Sequence, residues 1–256
     1  GTMMIGWNIF PWFAIATALL AVVASVLALC NHRRAALAIS SLAVAVLSAF
    51  VALLWVGLER PPMRTMGETR LWYSLFLLVA GVATYARWRF KWVLSFSTLM
   101  ATVFIIINIA KPEIHDQTLM PALQSGWFVP HVSIYIFSYA LLGCATLLTV
   151  YSLFGRSDVD EVVDKLLYGG VAFLTIGMLT GALWAKEAWG AYWSWDAKES
   201  WAVATWGLYL IALHLAPSVM NTSRRRFYHI IILLGFMALQ MCWYGINYLP
   251  SAETSI

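Results

Sequence analysis

The amino-acid sequence predicts an all-α fold, a polytopic membrane helix bundle of about eight transmembrane helices. Three observations lead there. Hydrophobic residues make up 62% of the chain and charged residues 11%, less than half the roughly 25% charged share of a soluble domain. The charges gather in short runs between long apolar stretches. Those stretches have the length of a membrane span: about 20 residues as a helix, because hydrocarbon offers the backbone no outside hydrogen-bond partner.

In chain order the expected spans are 7–29, 35–58, 69–87, 91–110, 130–154, 166–185, 199–217 and 227–248. The first reads as a span and not as a signal peptide: it lacks a basic leader, runs too long, and shows no A-x-A-like site before the second. At 19 residues the third is as short as any of them. Gly1 and Thr2, ahead of two methionines, carry no weight in this reading. No repeat and no separate soluble domain is evident, so 1–256 reads as a single membrane domain. Cys30, Cys144 and Cys242 lie in or at the ends of apolar spans and read as small buried hydrophobes; no C-x-x-C pair occurs.

Alternate loops then fall on opposite faces, and basic residues choose between them. One face holds Arg33, Arg34, Arg87, Arg89, Lys91, Arg156, Lys165 and Arg224 to Arg226, ten in all. The other holds Arg60, Arg64, Arg70, Lys111, Lys186 and Lys198, which is six. The first face is therefore expected in the cytoplasm, with both termini outside. No basic patch extends beyond these short loops, so the net charge of +4 does not point to nucleic acid. The outer loops, 59–68, 111–129, 186–198 and the tail after Tyr248, are the ones to search for function.

One of them stands apart. Between Trp184 and Trp206 lie six of the protein's 14 tryptophans within 23 residues: Trp184, Trp189, Trp193, Trp195, Trp201 and Trp206, with Tyr192 among them. Tryptophan does gather at membrane interfaces, but an interfacial belt would spread over every helix end. Asp196 followed by Glu199 is a capping pattern, in which Asp196 accepts from an early helix N–H and Glu199 reaches back to the cap. The next helix is then expected to start at Ala197. Trp189, Trp193 and Trp195 would sit on a constrained segment outside the bilayer, above the positive end of a helix. Flat, rigid indoles held there make a shelf for a flat apolar ligand such as heme; an interfacial belt is the alternative.

The run Trp189-Gly190-Ala191-Tyr192-Trp193-Ser194-Trp195-Asp196-Ala197-Lys198-Glu199-Ser200-Trp201 resembles the WWD domain of heme-handling proteins. It is similar to the CcsA (ResC) branch of cytochrome c biogenesis proteins more than to the CcmC or CcmF branches. The likeness continues through Arg64 to Arg70, Leu119 to Ser125 and Pro130-His131-Val132, and covers most of the chain from the second span onward. Ala197 stands where the family usually has Pro; at the first helical position Pro is favoured and Ala harmless.

Position sorts the five histidines. His131 opens the fifth span at its outer end, where an interfacial residue and a ligand are both possible readings; neutral imidazole is a good axial ligand for heme iron. His214 lies 15 residues beyond Glu199, roughly 22 Å along a helix, which places an ionisable group inside the membrane, a functional hypothesis by default; a packed neutral histidine is the alternative. His32 and His229 read as solvated loop residues beside arginine runs, and His115 is not expected to be a ligand. The resemblance implies more: His131 matches the family's external heme-ligating histidine. His214 matches the histidine within the span after the WWD loop, which holds heme in passage. The family's second external histidine, after the last span, has no counterpart, since no histidine follows His229; either another group serves or, the preferred expectation, the natural polypeptide continues past Ile256.

The function so implied is heme handling for cytochrome c assembly in a bacterial inner or plasma membrane. Heme b, as cargo, would be presented at the outer face to the C-x-x-C-H thiols of an apocytochrome c. A CcsB (ResB) partner or fused domain would complete the synthase. Trp189, Gly190, Tyr192, Trp193, Trp195, Asp196 and Trp201 would form the seat, with His131 and His214 as iron ligands. A CcmC-type heme transporter without ligation activity is the main rival. A quinone-linked subunit with internal heme would want histidine pairs at membrane depth, and a subunit without heme would show no heme absorption. No catalytic triad, zinc site or phosphate loop is evident.

Overall fold

The computed structural model describes residues 6–116, 125–154, 159–215 and 222–243. Leu119 to Gln124, Arg156, Asp158 and the tail after Trp243 lie outside the described residues. Eight α-helices are present among those described: α1 (Phe10–Leu29), α2 (Arg33–Leu58), α3 (Met66–Trp88), α4 (Lys91–Ala110), α5 (Phe128–Leu153), α6 (Asp160–Trp189), α7 (Ala197–His214) and α8 (Thr222–Trp243). Short 3-10 turns at Trp7–Ile9 and Pro112–His115 precede α1 and follow α4. Each expected span corresponds to one helix, and no strand occurs among the described residues.

Six of the eight helices are long and apolar enough to cross a membrane; α3 and α7 fall short of that measure. Both open on charge, α3 with Glu68 and Arg70, α7 with Lys198 and Glu199. The largest boundary change is in α6, expected over 166–185 but running 30 residues, about 45 Å. That exceeds the roughly 30 Å of hydrocarbon. Charged residues such as Asp160, Glu161, Lys186 and Glu187 end an apolar window without ending a helix.

The described contacts divide the chain into two compact units, Gly1–Ala140 and Leu141–Ile256, with the division inside α5. In the first unit α1 packs on α2 and α4, and α3 packs on α2 and α4. Small residues permit this. Ala14, Thr17, Ala21, Ala24 and Ala28 make a buried stripe along α1, the way membrane helices bring their backbones close. Ser25 Oγ donates to Thr98 Oγ1 at 3.1 Å between α1 and α4. At Gly81 of α3 an added Cβ would fall 2.3 Å from Ser97 Oγ of α4, so this crossing admits no larger residue without a shift.

One carboxylate gathers much of the connector from α2 to α3, and Trp72 Nε1 adds a bond to the Pro62 carbonyl at 2.9 Å. Glu68, 1% exposed, accepts from Arg60 at 2.8 and 3.0 Å and from the N–H groups of Arg64 (2.6 Å) and Thr65 (3.2 Å). Thr65 Oγ1 accepts from the Glu68 N–H in return, which completes a capping box.

In the second unit α7 packs on α6 and α8. Trp206 Nε1 donates to Thr175 Oγ1 at 2.9 Å between α7 and α6. A polar cluster joins the end of α5 to the starts of α6 and α8. Asp160 accepts from Arg225 Nε (2.6 Å) and Ser152 Oγ (3.0 Å), and His229 Nε2 lies 3.1 Å from its other contact oxygen, Oδ1. His229 is therefore no solvated loop residue: it is 3% exposed. The helix starts five residues before the expected 227, so the arginine run forms its first turn and His229 turns inward.

Candidate functional site

The aromatic loop belongs wholly to the second unit. The α6 helix ends at Gly190, whose φ of 84° is left-handed and natural for glycine. The Gly190 N–H donates to the Lys186 carbonyl, and Lys186 Nζ donates back to the Gly190 carbonyl at 2.7 Å. The same ammonium lies 5.4 Å from the centre of the Tyr192 ring, within cation–π range. Residues 190–196 then run without regular structure.

The far end of this segment is fixed by α7. Asp196 caps the helix as expected, Oδ1 accepting from the Glu199 N–H at 2.7 Å, and Ala197 is the first helical residue. Glu199 differs from expectation. Its Oε2 reaches past the cap residue to Ser194, accepting from the Ser194 N–H at 2.7 Å and Oγ at 3.3 Å. The carboxylate thereby anchors the loop at Ser194 in place of the cap residue's N–H. Between these anchors Trp195 takes a φ of 58°, a conformation that costs a non-glycine residue about 1 kcal/mol or more. Ser200 Oγ donates to its carbonyl at 3.3 Å.

The rings follow from this backbone. Trp193 and Trp195 meet edge to face, centroids 5.6 Å apart at 82°. Trp184 and Trp189 do the same at 6.3 Å and 76°. Trp189, Tyr192 and Trp195 are exposed, Trp195 by 68%. Trp193 is half-buried, and its indole N–H is buried with no acceptor among the described residues. A buried donor without a partner is rare in native proteins. Trp201 is half-buried in the second turn of α7, and its carbonyl accepts from Thr205 Oγ1.

His214, in the same unit, is the last residue of α7, about 26 Å along the helix from Ala197. The loop and this histidine thus occupy opposite ends of one helix. Its Nδ1 lies 2.7 Å from the Leu210 carbonyl. A carbonyl only accepts, so Nδ1 carries the proton, and in the neutral ring Nε2 keeps its lone pair. The side chain is exposed.

His131 belongs to the first unit. It is the fourth residue of α5, its N–H donating to the Trp127 carbonyl at 3.1 Å, and its ring meets Tyr135 edge-on at 4.6 Å. It is half-buried. Two residues on, Ser133 Oγ donates to Met63 Sδ at 3.0 Å, which ties the start of α5 to the connector held by Glu68.

His115 is engaged elsewhere in the first unit. Its ring stacks on Trp7, centroids 3.8 Å apart and 8° from parallel, and burial holds its pKa below the ordinary 6.5. The adjoining cavity, lined by Trp7, Phe10, Asn108 and His115 among others, is about 280 Å3. That is at or below the small end of ligand pockets.

A sequence model of the family described as "Cytochrome C assembly protein" matches residues 64–252. Several curated proteins called "Cytochrome c biogenesis protein CcsA" are similar over most of the chain. One from Cuscuta exaltata is 32% identical over 242 residues, 75% of each protein. Another from Panax ginseng is 30% identical over 251 residues, 76% of this chain and 77% of that one. One from Chlamydomonas reinhardtii is 35% identical over 164 residues, 59% of this chain and 46% of that protein. The chain belongs to the cytochrome c assembly proteins and, among them, to the CcsA family. It is an integral membrane protein with a role in cytochrome c biogenesis.

Proposed function

We propose that this protein binds heme at the outer face of its membrane and presents it to apocytochrome c for covalent attachment. The observation that carries the reading is the loop between α6 and α7. Trp189, Tyr192 and Trp195 expose their rings on a segment anchored at both ends by Lys186, Asp196 and Glu199. A rigid aromatic surface of this kind suits a porphyrin, because little conformational entropy is lost on binding. The unpartnered indole N–H of Trp193 is a donor that a propionate oxygen would satisfy. His131 supplies an imidazole to the iron, and His214, with Nε2 free for a metal, holds heme nearer the opposite face. The residues of the seat are Trp189, Gly190, Tyr192, Trp193, Trp195, Asp196 and Trp201.

The chemistry asked of these side chains is placement. The vinyl groups of heme b must face the two thiols of a C-x-x-C-H segment. Each thiol then adds across a vinyl double bond, sulfur to one carbon and hydrogen to the other, with no leaving group. A CcsB (ResB) membrane protein completes the synthase in this reading.

The test is to purify the protein and record its absorption spectrum, then to co-express it with an apocytochrome and the CcsB partner. A Soret band that weakens in His131→Ala, with thioether-linked cytochrome formed only by the wild type, is the expected result. A protein without a Soret band, or a His131→Ala spectrum identical to the wild type, would overturn the assignment.

A further inference from the structure

At one end of the first unit two tight turns lie side by side: Cys30 to His32 between α1 and α2, and Arg89 with Phe90 between α3 and α4. They are pinned together. Arg33 donates through one terminal nitrogen to the Ala86 carbonyl at 2.7 Å, and the Lys91 ammonium donates to Asn31 Oδ1. The turns are only three and two residues long, so every side chain on them lies at the end of a helix. For α1, α2 and α4, which are long and apolar enough to span, that end is the level of the phospholipid headgroups.

Five cations meet here: Arg33, Arg34, Arg87, Arg89 and Lys91. No aspartate or glutamate occurs in residues 1–58 or 69–112. The acids of this unit, Glu59, Glu68, Glu113 and Asp116, stand at the other ends of α2, α3 and α4, about 30 Å or more away along the helices. Two of the cations hold the turns together. Arg34, Arg87 and Arg89 are exposed, the Arg87 guanidinium 5.6 Å from the centre of the Trp88 ring. An independent sign comes from Arg33: its Nε is buried and has no acceptor among the described residues. Repulsion among unscreened like charges, together with an orphaned donor, marks a place that lacks its anion.

We infer that this end of the unit seats the phosphate of an anionic membrane phospholipid, with Arg34, Arg87 and Arg89 around the headgroup and Arg33 at its base. Trp88 gives the glycerol and upper acyl region an interfacial ring to rest on. A headgroup phosphate is the occupant because the site lies at the bilayer surface, where such groups are the most concentrated anions. The inference uses nothing from the heme reading and stands or falls apart from it.

Native mass spectrometry of the detergent-purified protein tests it without regard to membrane orientation. The wild type is expected to retain phosphatidylglycerol in preference to phosphatidylcholine. Arg34→Gln, Arg87→Gln and Arg89→Gln leave the two pinning contacts in place and should each weaken retention about fivefold, cumulatively. Lys111→Gln, at the opposite end of α4, should leave it unchanged. Millimolar inorganic phosphate should not displace the lipid. Equal retention of the two lipids, arginine variants that bind like the wild type, or full displacement by inorganic phosphate would each overturn the inference. Should the triple variant fail to fold, the single variants still give the graded loss or its absence.

Discussion

At Trp195 a bulky aromatic residue holds a φ of 58°, which glycine would adopt at no steric cost. The backbone there is stabilised by Ser194, Glu199 and Ser200, not by the indole, which is 68% exposed. Trp195→Gly should therefore leave thermal stability unchanged or raise it by about 1 kcal/mol, while lowering heme occupancy. Melting in detergent beside the Soret-to-protein ratio separates the two. A stability loss with normal heme content would make the ring a packing residue. The sequence showed the ring and not its conformation, because a left-handed φ at tryptophan follows from the contacts around it and from no local preference. Glu199 was legible as part of a cap; that its carboxylate would bind Ser194, five residues back, depended on the path of the loop.

Among the elements, α3 shows how an outer loop is fixed to a helix start. The pattern Thr65-Met66-Gly67-Glu68 is a capping box on its face. The recruitment of Arg60 and the burial of Glu68 to 1% exposure go beyond that pattern. With Glu68 gone, Arg60 and two backbone N–H groups lose their acceptor together. Glu68→Ala should destabilise the protein by about 3 kcal/mol, and Glu68→Gln by less, since its amide oxygen still accepts. Unfolding midpoints in detergent will show this ordering; a Glu68→Ala variant as stable as wild type would mean that the clamp does not hold the connector. The α6 boundaries carry a related lesson. An apolar window finds the part of a helix that lies in lipid, while the helix itself continues for as long as the backbone stays hydrogen-bonded.

For the whole molecule, the prediction concerns which loops share a face. The basic turns of the first unit carry Cys30, which is exposed and not buried as its apolar surroundings in the sequence suggest, and the heme reading places the aromatic loop on the other side of the membrane. In intact cells a membrane-impermeant maleimide should label an Ala191→Cys variant and leave Cys30 unmodified, with Cys242→Ser as background. Labelling of Cys30 with no labelling at position 191 would put the loop on the cytoplasmic side and remove the proposed seat from the reach of an exported apocytochrome. The excess of ten basic residues over six in alternate loops is the physical basis of the expectation.

The sequence by itself determined the number and order of the helices, the membrane as solvent, and the aromatic loop with the start of the helix that follows it. All of these follow from local composition and from the cost of unpaired backbone in hydrocarbon. Tertiary structure decided the partners of the buried polar groups: Asp160 with Arg225 and His229, Glu68 with Arg60, His115 against Trp7. These pairs join residues as much as 108 positions apart. No local pattern records which distant side chain will neutralise a buried charge or cover an imidazole, because that is settled only when helices pack.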